Sequence, residues 1–219
     1  MKKNLYIMID TETCGDLDCA YTYDIGFAVV DKYGAVYAKY SFVVAEVFFG
    51  MSELMQSAYY ASKIPSYWAD IETGKCRVAR LYTIQAIVDM LIAKYHIEAV
   101  IAHNIRFDNN ALNNTIRTIS NGTIHYFFPR GVKIWCTLAM ARSIMYNKPT
   151  YKKYCEDNNY LQKNGLPRCT AEILTRFISG DESFNEKHTG IDDVMIEKDI
   201  FAYLCRQHKK MRRTYWKEN

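Results

Sequence analysis

Leu5-Tyr6-Ile7-Met8-Ile9 is a short apolar, partly β-branched run, and such a run predicts a buried strand. Tyr23 to Asp31 and Ala35 to Val44 are two further strand candidates. Lys32-Tyr33-Gly34 between them supplies a hairpin turn, so the chain opens with three antiparallel neighbours. The period then changes. Met51 to Ser62 and Leu81 to Tyr95 have helical spacing, and the second places Ile84, Ile87, Val88, Leu91 and Ile92 on one face. Ala99 to Ala102 returns to strand character. Asp108 to Ser120 reads as a helix closed by Asn121-Gly122, a left-handed stop. Val132 to Trp135 is a short strand, and Thr137 to Tyr146 a helix ended by Pro149. Thr170 to Ile178 and Ile191 to Gln207 are the last helices, separated by the polar loop Ser179 to Lys187. Strands first, then alternating helix and strand, predict an α/β protein with a mixed sheet flanked by helices.

Composition narrows the class without naming it. No repeat, low-complexity tract or linker divides the 219 residues, so residues 1–219 are expected to form one domain. Hydrophobic residues at 49% and charged residues at 24% exclude a disordered chain. A net charge of +4 permits a polyanionic partner without demanding one. No stretch approaches the roughly eighteen apolar residues that span a bilayer. Met1-Lys2-Lys3-Asn4 and the apolar residues after it run too soon into Asp10 and Glu12 for a signal peptide. The seven cysteines are scattered, odd in number and without a CxxC pair. That usage points to a reducing cytoplasm, with neither a disulfide frame nor a zinc cluster.

Three segments carry candidate chemistry. Asp10 and Glu12 are two apart on a strand, so both carboxylates project from one face. Like charges side by side need a cation or a proton to offset them, although solvated acids also decorate strand ends. In Ala102-His103-Asn104-Ile105-Arg106-Phe107-Asp108, an apolar strand runs through a polar turn into a helix. Asp108 there is either a helix cap or a third carboxylate aimed at the end of the sheet. His188-Thr189-Gly190-Ile191-Asp192-Asp193 places a histidine on a polar loop and two acids at the start of the last helix. Taken alone, each has a bland explanation.

Together the three resemble the DEDDh family of 3′–5′ exonucleases, which includes polymerase proofreading subunits and oligoribonuclease. The apolar run ending in Asp10-Thr11-Glu12-Thr13 is similar to the family's first motif. Asn104 to Asp108 is similar to the second, and His188 with Asp193 to the His-x4-Asp third. Tyr23-Asp24-Ile25-Gly26 and Trp135-Cys136-Thr137-Leu138-Ala139 are weaker echoes, so the likeness touches about two thirds of the chain. It looks closest to small exonucleases of bacteriophages, which would place the protein in a host cytoplasm. Two features depart from the family. Phe48 to Tyr67 is a helix-like, Tyr-rich segment where members often have a Pro-containing stretch. The third motif offers two neighbouring acids, of which the spacing selects Asp193; Asp192 lies about 100° around the helix.

The resemblance implies a ribonuclease H-like fold with a mixed five-stranded sheet. It implies two divalent cations, Mg²⁺ or Mn²⁺, as oxygen-rich carboxylate sites favour. By that likeness Asp10, Glu12, Asp108 and Asp193 would hold the ions, and His188 would take a proton from the attacking water as general base. Thr11, Thr13, Asn104 and Phe107 would meet the terminal nucleotide, Phe107 by stacking on a base. The implied partner is a nucleic acid with a free 3′ end, single-stranded DNA in preference to RNA. An exoribonuclease of the same fold and a non-catalytic nucleic-acid-binding module are the alternatives. Tyr146 to Tyr154 interleaves basic and aromatic residues and suits either a solvated surface turn or a single-strand platform. Lys209-Lys210-Met211-Arg212-Arg213 suits a frayed helix end or a phosphate contact. Tyr59-Tyr60 and Tyr67-Trp68 read as core or lid residues.

Overall fold

The first strand, β1 (Leu5–Cys14), is apolar without alternation because both of its faces are covered. Ile7 and Ile9 belong to one core and Tyr6 and Met8 to a second core on the opposite side of the sheet. The computed structural model describes residues 3–57 and 61–214, and Tyr59-Tyr60 lie outside the described residues. β1 pairs antiparallel with β2 (Tyr21–Asp31), which pairs antiparallel with β3 (Val36–Val44). Asp31 fixes the turn between β2 and β3 by accepting the N–H groups of Tyr33 at 2.9 Å and Ala35 at 3.1 Å.

The remaining strands are short and parallel to their neighbours. β4 (Arg77–Ala79) lies beside β3, β5 (Ala99–Ala102) beside β1, and β6 (Lys133–Cys136) beside β5. The sheet therefore has six strands in the order β4-β3-β2-β1-β5-β6, against five expected. The extra strand, Arg-Val-Ala, is three residues long, too short to leave a period in the sequence.

Helices cover both faces. The segment after β3 forms α1 (Ala45–Phe48), α2 (Ser52–Ser57), a 3₁₀ turn over Ala61–Lys63 and α3 (Ile64–Glu72), in place of one long helix. α4 (Leu81–Tyr95) and α5 (Arg106–Ile119) pack Leu81, Ile84, Val88, Leu112 and Ile116 against the Ile7 face. α6 (Thr137–Met145), α7 (Pro149–Asp157), α8 (Ala171–Ser179) and α9 (Gly190–Arg206) build the Met8 face. Pro149 opens α7 at its first turn and does not end α6. Residues 146–154 are thus no single-strand platform: Tyr151 is fully buried, and Tyr154 packs on Tyr151 and Phe177. The basic tail is likewise no helix end. Arg213 accepts the Cys136 N–H at 2.7 Å, and its guanidinium lies 4.2 Å from the Trp135 ring centre. No helix among the described residues is long and apolar enough to cross a membrane.

Candidate active site

The two-faced burial of β1 decides which partners its terminal residues meet. Asp10 and Glu12 share parity with Tyr6 and Met8, so they point to the side of the sheet that carries α9. Thr11 has the parity of Ile7 and Ile9 and points toward α5. The Thr11 backbone N–H and hydroxyl both donate to Asp108 Oδ1, at 3.1 and 2.9 Å. Asp108 sits in the first turn of α5, which begins three residues earlier than its cap reading required. Asn104 adopts φ +69° in the turn before that helix, a left-handed position that asparagine tolerates.

α9 reaches the same place by a close backbone approach. A Cβ added to Gly26 on β2 would lie 2.1 Å from the Gly190 carbonyl carbon, and one added to Gly190 2.6 Å from the Gly26 nitrogen. Only glycine at both positions lets the start of α9 touch the sheet. Asp24 Oδ2 completes the junction, accepting the Gly190 N–H at 2.9 Å and the Tyr67 hydroxyl at 2.6 Å. Tyr67 is therefore a core residue with a defined task, whereas its neighbour Trp68 is 46% exposed. Asp193, one turn into α9, faces Glu12. Asp192 turns away, accepting the Thr189 hydroxyl at 3.0 Å with Lys187 at 3.6 Å.

One cavity of about 550 Å³ is lined by Asp10, Glu12, Asp108, His188 and Asp193, and also by Thr11, Thr13, Asn104 and Phe107. All nine sequence-derived site residues thus share one space, although the Thr11 hydroxyl is already committed to Asp108. The ligand atoms of Glu12, His188 and Asp193 lie within 4.8 Å of one another. Glu186 Oε2 stands 3.9 Å from His188 Nδ1.

Burial dominates the electrostatics. It raises the Glu12 carboxyl to about 8 and the Asp193 carboxyl to about 7, with neighbouring carboxylates adding to both and Lys63 opposing. Asp10 is pushed well up by burial and then by Asp108, Glu197, Asp193 and Glu12. Burial and then the Lys63 charge lower the His188 imidazole, which favours its neutral form. A buried set of like charges is costly without a cation. Asp193 Oδ1 is buried with no hydrogen-bond partner. Carboxylates held short of their hydrogen bonds, with one imidazole, fit a divalent metal ion.

Several lining residues escaped the sequence. Glu197 is buried four residues beyond Asp193 on α9 and accepts the His103 N–H at 2.9 Å. That i, i+4 spacing was a signal available in advance. Lys63 donates to the carbonyls of Lys187 and His188, the latter at 3.3 Å, and no local pattern announces that contact across the chain. His103, held well below its usual range by burial, bonds Thr137 at 3.0 Å and the Cys169 carbonyl at 2.8 Å. Arg142 and Arg168 also line the cavity.

No protein-family model matches the chain, and no curated protein matches its sequence. Solved structures do. Escherichia coli exonuclease I in complex with a 5cy-dT13 oligonucleotide aligns at TM-score 0.55 and 14% identity, over 94% of this chain and 41% of that one. Exonuclease I from Methylocaldum szegediense aligns at 0.54 and 14%, with the same coverage. The nuclease domain of 3′hExo, a DEDDh family member, bound to rAMP, aligns at 0.54 and 9%, over 97% of this chain and 96% of that one. The chain spans about two fifths of the exonuclease I chains it matches. It has the ribonuclease H-like fold of the DEDDh 3′–5′ exonucleases.

Proposed function

We propose that this chain is a metal-dependent 3′–5′ exonuclease that releases nucleoside monophosphates from single-stranded DNA. One observation carries the proposal: four carboxylates from β1, α5 and α9 converge with His188 in a single cavity. Asp10, Glu12, Asp108 and Asp193 would hold two divalent cations, Mg²⁺ or Mn²⁺. When bound, such ions polarise the scissile phosphate and stabilise charge on the entering and leaving oxygens.

The chain's own groups do the rest. His188, neutral at pH 7, takes a proton from the water that attacks phosphorus as the bond to the 3′ oxygen breaks. Glu186 Oε2, 3.9 Å from Nδ1, would favour the imidazolium that forms. Phe107 and Thr13 line the space for the terminal nucleotide. A binding module without turnover has no use for this arrangement, since clustered acids repel phosphate. An exoribonuclease is the second reading, favoured by the near-complete overlap with the rAMP-bound 3′hExo domain.

Matched DNA and RNA oligonucleotides, digested in competition with Mg²⁺ or Mn²⁺ and analysed by chromatography, test the proposal. Nucleoside monophosphates released faster from DNA are the expected result. Faster release from RNA selects the second reading, and no metal-dependent release from either defeats both.

A further inference from the structure

The cavity is lined by basic as well as acidic residues, and the proposed reaction uses only the acidic ones. The same cavity is also lined by Arg142, from α6, and Arg168, from the loop between α7 and α8. Arg168 is exposed at its side chain, yet its backbone is clamped from several directions. Its N–H donates to the Tyr160 carbonyl at 2.9 Å, and its carbonyl accepts the buried Tyr151 hydroxyl at 2.5 Å. Gln162 Nε2 donates to the Pro167 carbonyl at 3.0 Å, and His103 bonds the Cys169 carbonyl at 2.8 Å. This last bond ties the loop directly to the end of β5. Among the described residues the Arg168 guanidinium has no carboxylate partner. Arg142 lines the same cavity and is close enough for its charge to act on His103 and Cys169.

A flexible cationic side chain on a fixed backbone, facing a cavity, is a prepared anion contact. On the exonuclease reading the scissile phosphate is served by the carboxylates, which would hold the cations. A 3′-terminal nucleotide ends in a hydroxyl and carries no second phosphate. The remaining fixed anion on a polynucleotide is therefore the next phosphate on the 5′ side. We infer that Arg168, supported by Arg142, binds the phosphodiester immediately 5′ of the one cleaved, so that the site is built for a chain of at least two linkages. The inference rests on the exonuclease reading for its geometry.

Two substrates separate this contact from the chemistry. A dT octanucleotide has the second phosphate, whereas the p-nitrophenyl ester of thymidine 5′-monophosphate lacks it. For Arg168→Gln, the ratio of kcat/KM on the octanucleotide to that on the ester should fall about tenfold, as expected for one charge-assisted contact. Arg168→Lys should recover part of the loss. In Ca²⁺, fluorescence anisotropy should show weaker octanucleotide binding by Arg168→Gln, with a salt slope lower by about 0.7. An unchanged ratio and an unchanged salt slope would overturn the inference. If the wild-type protein cleaves neither substrate, the exonuclease reading fails, while the anisotropy slope still decides the arginine contact. Equal thermal unfolding midpoints for variant and wild type would establish that folding is not the cause.

Discussion

The segments 7–12 and 186–193 both supply residues to one cavity but are held there by different forces. Ile7, Met8 and Ile9 are completely buried, and the strand carrying Asp10 and Glu12 is paired on both sides. His188 lies on a polar loop at φ +53°, partly exposed, with Lys63 donating to the carbonyls of Lys187 and His188. The acids are thus fixed by the core itself. The histidine is placed by a few polar contacts from a distant segment, and such segments open at low cost. The difference teaches that removing an acid should disturb chemistry without geometry, whereas the histidine can be displaced without being replaced.

The largest effect should follow Asp10→Ala. Loss of a metal-holding carboxylate worth several kcal/mol should lower kcat by roughly a thousandfold. Because burial and the neighbouring carboxylates disfavour the charged form of Asp10, the unfolding midpoint of the metal-free variant should stay equal or rise. A large fall in that midpoint would show that Asp10 serves the fold instead. His188→Ala should cost about a hundredfold in kcat, near the lower end for a general base, and leave the midpoint unchanged. Activity close to wild type would remove His188 from the mechanism.

Lys63 sharpens the contrast further. Lys63→Met should lower kcat by about fivefold, the cost of about 1 kcal/mol of lost loop positioning. Lys63→Arg should restore most of it. If Lys63→Met raised KM alone, the lysine would be a substrate contact and not a clamp on the loop.

The fold was readable where burial leaves a period. β5 and α4 coincide with their expected bounds because each is long or apolar enough to be unambiguous. The apolar run that announces β1 stops at Ile9, whereas the strand continues through Asp10 and Glu12 to Cys14 as the carboxylates extend the ladder. Pro149 was misread because proline marks both the end of one helix and the first turn of another. The site was legible through Asp10, Glu12, Asp108, His188 and Asp193, whose residue types and spacings are local. The Gly26–Gly190 approach, the Asp24–Tyr67 bond and the Lys63 clamp join residues far apart in the chain. No local pattern records such contacts.

The smallest expected effect concerns pH. Glu12 and Asp193 bind protons more tightly in the folded chain, at about 8 and 7, than at their ordinary values of 4.5 and 3.8. Between those limits the folded state holds more protons than the unfolded state, so stability falls as pH rises. In EDTA the unfolding midpoint should drop by a few degrees from pH 5.5 to 8.5. Mn²⁺ should reverse the trend, because ions bind the deprotonated acids. Asp193→Asn should make the EDTA curve shallower, leaving the Glu12 share, and a flat wild-type curve would refute the burial of these carboxyls.

The most direct test of the proposed exonuclease activity uses one single-stranded oligonucleotide labelled at either end. With Mn²⁺, a 5′ label should yield a descending ladder, and a 3′ label should appear at once as mononucleotide. EDTA should abolish both. Internal fragments without a ladder, shortening from the 5′ end, or undiminished cleavage in EDTA would contradict the account.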